Sequence, residues 1–209
     1  MHRPLRLGGL LAVIMAIFVC LAQPATAAGP NLIRNGTFAR PPVNENSYQL
    51  IGAGNAFLLE DWTLTRGDVD VFGRNLAAAP SRHQALNLNG TVPGTVQQDF
   101  ETRPGTRITI TWKHARDTWP GCAWANDQSY DVSVHNTVYG SYEPQGGPGN
   151  WSTPNSLSFV AQGYSYTLEF SSTTGLATPA CGALITDVEV RADGGTNPPP
   201  PNPPEPRLR

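Results

Sequence analysis

The chain has 209 residues, with 14 lysines and arginines against 16 aspartates and glutamates and a formal net charge of −2. A balance this near neutral argues against nucleic acid as a partner, which requires a clustered basic face. Hydrophobic residues make up 39% of the chain, enough for one domain with a sizeable core.

The first element in chain order is a leader. His2, Arg3 and Arg6 form a basic start, Leu7 to Leu21 an apolar stretch, and Ala25-Thr26-Ala27 a small-residue cleavage site. This pattern predicts a signal peptide over residues 1–27, and the apolar run is too short to span a membrane. The expectation is a secreted, soluble domain over residues 28–193. Residues 31–38, Asn-Leu-Ile-Arg-Asn-Gly-Thr-Phe, predict a short edge strand that ends in a tight turn at Asn35-Gly36.

Short alternating segments follow, and no helical periodicity interrupts them. Strands are predicted at Trp62–Thr65, Val69–Phe72, Ala85–Leu88 and Val96–Phe100. Further on, Ile108, Ile110 and Trp112 alternate with Thr109 and Thr111, and Tyr130, Val132 and Val134 repeat the pattern. Leu157–Val160, Tyr164–Phe170 and Ala183–Val190 complete the set. Many short strands punctuated by Gly, Pro, Asn and Asp predict an all-β sandwich or jelly roll. Trp62, at the start of a strand, reads as a core anchor, and so does Trp151. Asp68 and Asp70 are two apart in a strand, and the expectation for them is a solvated sheet face. From Gly194 the composition turns to Gly, Asn and Pro, so residues 194–209 are predicted to be a disordered, extended spacer.

Cys20 leaves with the leader, which leaves Cys122 and Cys181. In an exported chain the simplest outcome is that they pair, with two free buried thiols as the alternative. Two cysteines at this spacing supply too few ligands for zinc.

Five pieces in register carry a family resemblance. They are Asp61-Trp62-Thr-Leu-Thr, Gly67-Asp-Val-Asp-Val-Phe-Gly73, Gln84-Ala-Leu-Asn-Leu-Asn-Gly90, Pro93-Gly-Thr-Val-Gln-Gln-Asp-Phe100 and Thr102-Arg-Pro-Gly105, with Gly182-Ala-Leu-Ile-Thr-Asp-Val-Glu-Val190 as a closing piece. With the opening 31–38 they resemble the bacterial choice-of-anchor C family, relatives of the plant cell-wall proteins grouped as domain of unknown function 642. The resemblance implies a galactose-binding-like jelly roll, extracellular or cell-wall placement and contact with cell-wall polysaccharide. It implies no reaction, because a fold does not fix a function.

Modules of that type usually carry a structural calcium between their first and last strands. The resemblance would place its carboxylates after the opening Phe and in a closing Asp-Asp/Asn-Val. Here those positions are Ala39 and Thr186, with only Asp187 kept. Calcium favours several oxygen ligands with more than one carboxylate, so no metal is expected, nor any other cofactor. Ile185 and Val188 lie three apart, which breaks the two-residue period and predicts a β-bulge.

No sequence motif of a hydrolase elbow, zinc protease or phosphate loop is present. His83, His114 and His135 are scattered and read as structural or surface residues. The most unusual loop is Arg116-Asp-Thr-Trp-Pro-Gly-Cys-Ala-Trp-Ala-Asn-Asp127. Tryptophan faces stack on the C–H faces of sugar rings while polar groups satisfy hydroxyls. Asp117, Trp119, Trp124, Asn126 and Asp127 are therefore the candidate carbohydrate ligands, with both tryptophans packing over a disulfide as the alternative. The leading expectation is a non-catalytic module that binds a polysaccharide or cell-wall glycan, and not nucleic acid. The alternatives are an adhesion domain with a protein partner, or an enzyme using Asp117 with Asp127.

Overall fold

A computed structural model describes residues 29–175 and 177–193. The predicted leader and proline-rich tail lie outside the described residues. Two antiparallel sheets face one another. The larger holds β1 (Tyr48–Ile51), β3 (Val69–Phe72), β4 (Ala85–Asn87), β11 (Leu184–Ala192), β6 (Arg107–Ala115) and β9 (Asn155–Val160), in that order. The smaller holds β2 (Thr63–Arg66), β5 (Thr95–Glu101), β10 (Ser165–Ser172), β7 (Tyr130–Val134) and β8 (Thr137–Tyr142), in that order. From β5 onward the chain repeatedly crosses from one sheet to the other, which is the jelly-roll path. A four-residue helix α1 (Arg74–Ala77) lies between β3 and β4. Among the described residues no helix is long and apolar enough to cross a membrane.

Strand alternation builds the core. Ile108, Ile110 and Trp112 point inward from β6 and meet Tyr130, Val132 and Phe170 of the other sheet. Trp112 is fully buried, donates its Nε1 hydrogen to the Tyr130 hydroxyl at 2.7 Å and packs edge-on against Tyr142 and Phe170. Nδ1 of His114 shares that hydroxyl at 2.7 Å, and burial pushes this imidazole down to about 4. His114 is thus a structural core residue. Trp62 is the predicted core anchor, packed on Phe38 and Phe170 with Nε1 bonded to Asn35 O.

The opening segment is a correction. Residues 31–38 form bends and a turn rather than a ladder strand. They still follow β11: Leu32 N donates to Val190 O, and Val188 N donates to Gly36 O. The physical reason lies in β11 itself, whose register slips between Thr186 and Glu189 at the predicted bulge. Ile185 and Val188 both face inward across that slip. A bulge disrupts pairing locally, and along this edge side chains take over. The amide of Gln98 bonds both backbone groups of Arg34, and that of Gln84 bonds Phe38 O and Pro41 O.

Candidate functional site

The site lies on the outer face of the larger sheet, where β1, β3 and β4 run side by side. Asp70 pairs with Leu50 on one side and Asn87 on the other, and Asn87 pairs with Leu184. Residues opposite in register share a face, so Leu50, Asp70 and Asn87 form a row pointing away from the core. Tyr48, two residues before Leu50, points the same way.

That face is not the solvated surface expected for Asp68 and Asp70. Asp70 is only 7% exposed, because the segments around Asp117 and Pro179 lie over this end of the sheet. Burial, then the charges of Asp117 and Asp68, push the Asp70 carboxyl up to about 7. Its Oδ1 has no hydrogen-bond partner. Asp68 is half-buried, and its carboxylate accepts Thr91 N, Thr91 Oγ1 and Val92 N. Burial raises the Asp68 carboxyl, but those bonds outweigh it and hold it below the usual range.

The predicted disulfide between Cys122 and Cys181 is present, with Cα atoms 5.4 Å apart. It ties the loop after β6 to the approach of β11, across 59 residues of sequence. Within the loop Asp117 is fully buried. One carboxylate oxygen accepts Trp119 N at 2.7 Å and the other accepts Asn87 Nδ2 at 2.8 Å, while Asp117 N donates to Gln128 Oε1. Burial nevertheless raises its pKa to about 6 against these bonds. Gly182 makes the approach possible: a Cβ there would stand 2.4 Å from Asn89 Oδ1 and 2.6 Å from Asn87 Oδ1. As a direct ligand contact Asp117 is therefore a correction. It positions Trp119 from beneath and meets no solvent.

Trp119 itself is 44% exposed and stands edge-on to Tyr48, ring centroids 5.3 Å apart at 78°. Tyr48 is equally exposed at 44%, and Leu50 continues the apolar strip beside it. Trp124 is 67% exposed, so packing both tryptophans over the disulfide is not what the chain does. The bridge instead buries Ala125. Asn126 and Asp127 are exposed in the same loop. Asp127 accepts Ser129 Oγ and Gly175 N, and these bonds hold its carboxyl below the usual range. Asp117 and Asp127 do not flank a common opening, since one is enclosed and the other faces solvent.

Sequence reasoning missed Tyr48, Leu50 and Asp70 as members of this face. Tyr48 and Leu50 sit in the unpredicted strand β1, whose Tyr-Gln-Leu-Ile alternation was the available signal. The outer face of the smaller sheet offers a contrast. Gln97, Asp99 and Glu101 line an open cleft there with Arg34 and Asp61, and the one aromatic residue lining it, Phe100, is buried in the core.

At the β11 bulge, the donor set does not fit the calcium that the fold family implies. Asp187 has a left-handed backbone (φ 52°) and turns its carboxylate toward Lys113 Nζ at 2.9 Å, His83 Nδ1 at 2.7 Å and Ser81 Oγ at 3.0 Å. Burial raises its pKa, but the bonds from His83, Lys113 and Ser81 outweigh this and lower it. Ala39 brings no oxygen side chain, and Thr186 is buried and donates to Gln84 O. The Lys113 ammonium thus supplies the positive charge at this carboxylate. Lys113→Met is expected to cost about 1.5–3 kcal/mol, the range for a charged hydrogen bond. Thermal melts of the native chain should be the same in calcium and in chelator; a calcium-dependent rise would contradict this assignment. The other potential ligand group, Asp117 with Cys122 and Cys181, has both sulfurs in the disulfide and so no thiolate to offer a metal.

A family model described as a protein of unknown function (DUF642) matches residues 31–191. No curated protein matches the sequence. Solved structures with a similar fold include a family 35 carbohydrate binding module from Clostridium thermocellum, 8% identical, covering 70% of this chain and 92% of that one at a TM-score of 0.41. TmCBM61 in complex with β-1,4-galactotriose is 12% identical, with 78% and 98% covered at 0.43. A CBM4 structure is 15% identical, with 77% and 99% covered at 0.41.

Proposed function

We propose that this chain, which belongs to the DUF642 family, is a secreted, non-catalytic carbohydrate-binding module that acts at the cell wall. Within the family we place it with the bacterial choice-of-anchor C proteins, on the five sequence pieces from Asp61 to Gly105 and the closing piece Gly182 to Val190. One observation carries the reading: Tyr48 and Trp119 present two half-exposed aromatic rings in edge-on contact, one from a sheet and one from a disulfide-pinned loop.

Apolar residues exposed singly are ordinary, but Tyr48, Leu50 and Trp119 adjoin one another in one exposed strip, and an aromatic face suits the apolar face of a sugar. The support beneath them is rigid. Trp119 N is bonded to Asp117, Asp117 is bonded to Asn87 in the sheet, and the disulfide closes the loop behind them. A surface ordered in advance loses less entropy when it binds. Trp124, Asn126 and Asp127 extend the same loop and supply an outer ring and polar partners. Asp117 and Asp127, the pair an enzyme of this loop would use, are both held in structural bonds and share no opening, which favours binding over cleavage.

Polysaccharide pull-down tests the reading. The wild-type domain should be retained by at least one wall polymer, and Trp119→Ala should lose about tenfold or more in affinity, the scale of one aromatic stacking contact plus its buried area. Trp124→Ala should lose less, because no second ring backs it. Equal retention of wild type and Trp119→Ala, with both folded, would remove the platform from the account.

A further inference from the structure

Asp70 stands on the floor of the aromatic strip with no cation beside it. Its register partners are Leu50 and Asn87, and the Asn87 amide is turned to Asp117 instead. Asp70 is more than nine-tenths buried, yet its Oδ1 has no hydrogen-bond partner. The charged neighbours that act on it are Asp117 and Asp68, and both are acidic. Asp117 is bonded to Asn87 and Trp119, and Asp68 is occupied by Thr91 and Val92, so of the three carboxyls it is Asp70 that keeps a buried oxygen without a partner.

We infer that Asp70 sets the charge class of the ligand: the face takes neutral sugars and, more tightly, amino sugars, and it rejects uronic acids. The inference rests on the reading of Tyr48 and Trp119 as a sugar-stacking surface. A ring lying on those aromatics brings a substituent over the row Leu50–Asp70–Asn87. A hydroxyl there carries no charge and is accepted. An ammonium brings the counter-charge that the three acidic groups lack, and is drawn to the aromatic faces. A carboxylate adds a further negative charge in a poorly screened place, where repulsion is strong. Burial without a partner already destabilises the ionised Asp70, so a positive charge held above it gains more than it would at an open surface.

The test is a glycan array carrying neutral, amino and uronic oligosaccharides, probed at pH 8 with wild type, Asp70→Asn and Trp119→Ala. Asn keeps the shape of Asp and removes the charge. Wild type should bind amino sugars most tightly and uronic acids least. Asp70→Asn should narrow the amino-to-uronic ratio by about tenfold or more, the effect of one charge at close range in a partly screened site. If that ratio is unchanged in Asp70→Asn while Trp119→Ala still abolishes binding, the charge assignment is wrong and the platform stands. Tightest binding of uronic acids by wild type would also overturn it. If no sugar binds, or binding is indifferent to Trp119→Ala, the platform reading fails and this inference fails with it.

Discussion

Replacing Cys122 and Cys181 together by serine is expected to destabilise the domain by about 3–4 kcal/mol. The bond closes a 59-residue span, and by chain entropy a loop of that size is worth about 4 kcal/mol as an upper figure. Against a typical total of about 5–15 kcal/mol this is a large share. The loss should also reach the ligand face. The bridge holds the loop in which Asp117 caps Trp119 and reaches over Gly182 to Asn87. A loop freed at Cys122 would leave Trp119 mobile against Tyr48 and open Asp70 to water. Denaturant melts of the double variant, with and without reductant for the native chain, measure this. A shift below about 1 kcal/mol would mean that the sheets alone order the loop.

Asp70→Asn is expected to stabilise the domain at alkaline pH and to change little in acid. The sign follows from two carboxyls whose pKa values are raised in the fold. Asp70 moves from 3.8 to about 7 and Asp117 from 3.8 to about 6, both mainly by burial. Between pH 4 and 7 the folded chain holds protons that the unfolded chain has released. The stability that the neutral carboxyls contribute is complete below about pH 4 and is lost as pH rises through 6 and 7. His114 works in the opposite direction: its folded value near 4 is below the ordinary 6.5, so it costs stability as pH falls from 6.5 to 4. Two groups oppose one, and the net slope over this window should be downward with rising pH. The Asp70 displacement alone converts to about 4 kcal/mol at the limit. Water reaching its 7% exposed edge reduces this, and about 2 kcal/mol at pH 8 is the expected gain for Asp70→Asn. Melts at pH 4.5 and pH 8 check the prediction. Equal stability of the two proteins at pH 8 would mean that Asp70 has a partner in solution.

The architecture was legible because alternation is a direct record of burial. Val69–Phe72 and Tyr130–Val134 have the observed strand limits, and Ile108, Ile110 and Trp112 lie inward as their spacing requires. The β-bulge was legible in the three-residue spacing of Ile185 and Val188. Strands β1 and β8 were not; both lie at sheet edges with side chains largely half-buried or exposed. A strand that buries little leaves little periodic signal.

The loop of the candidate site could be found from its composition, and Trp119, Trp124, Asn126 and Asp127 do lie at the surface. Asp117 misled because the sequence has no mark that distinguishes a buried carboxylate from an exposed one. Tyr48 and Asp70 could not be joined to Trp119 from sequence, since 71 and 49 positions separate them from it. Only the order β1-β3-β4 and the disulfide bring them together. The same distance in sequence hid Lys113 and His83 from Asp187, whose shared contact explains how the bulge keeps its carboxylate without a calcium donor set.

The most direct test of the central claim is a double-mutant cycle on Tyr48 and Trp119, read by calorimetric titration with the polymer that the wild type retains best. Each single alanine variant should weaken binding by about tenfold, and the double variant should lose less than the sum, because the rings act as one surface. Strictly additive losses would mean two independent contacts. An unchanged Kd in either single variant would contradict the Tyr48–Trp119 platform as the ligand face.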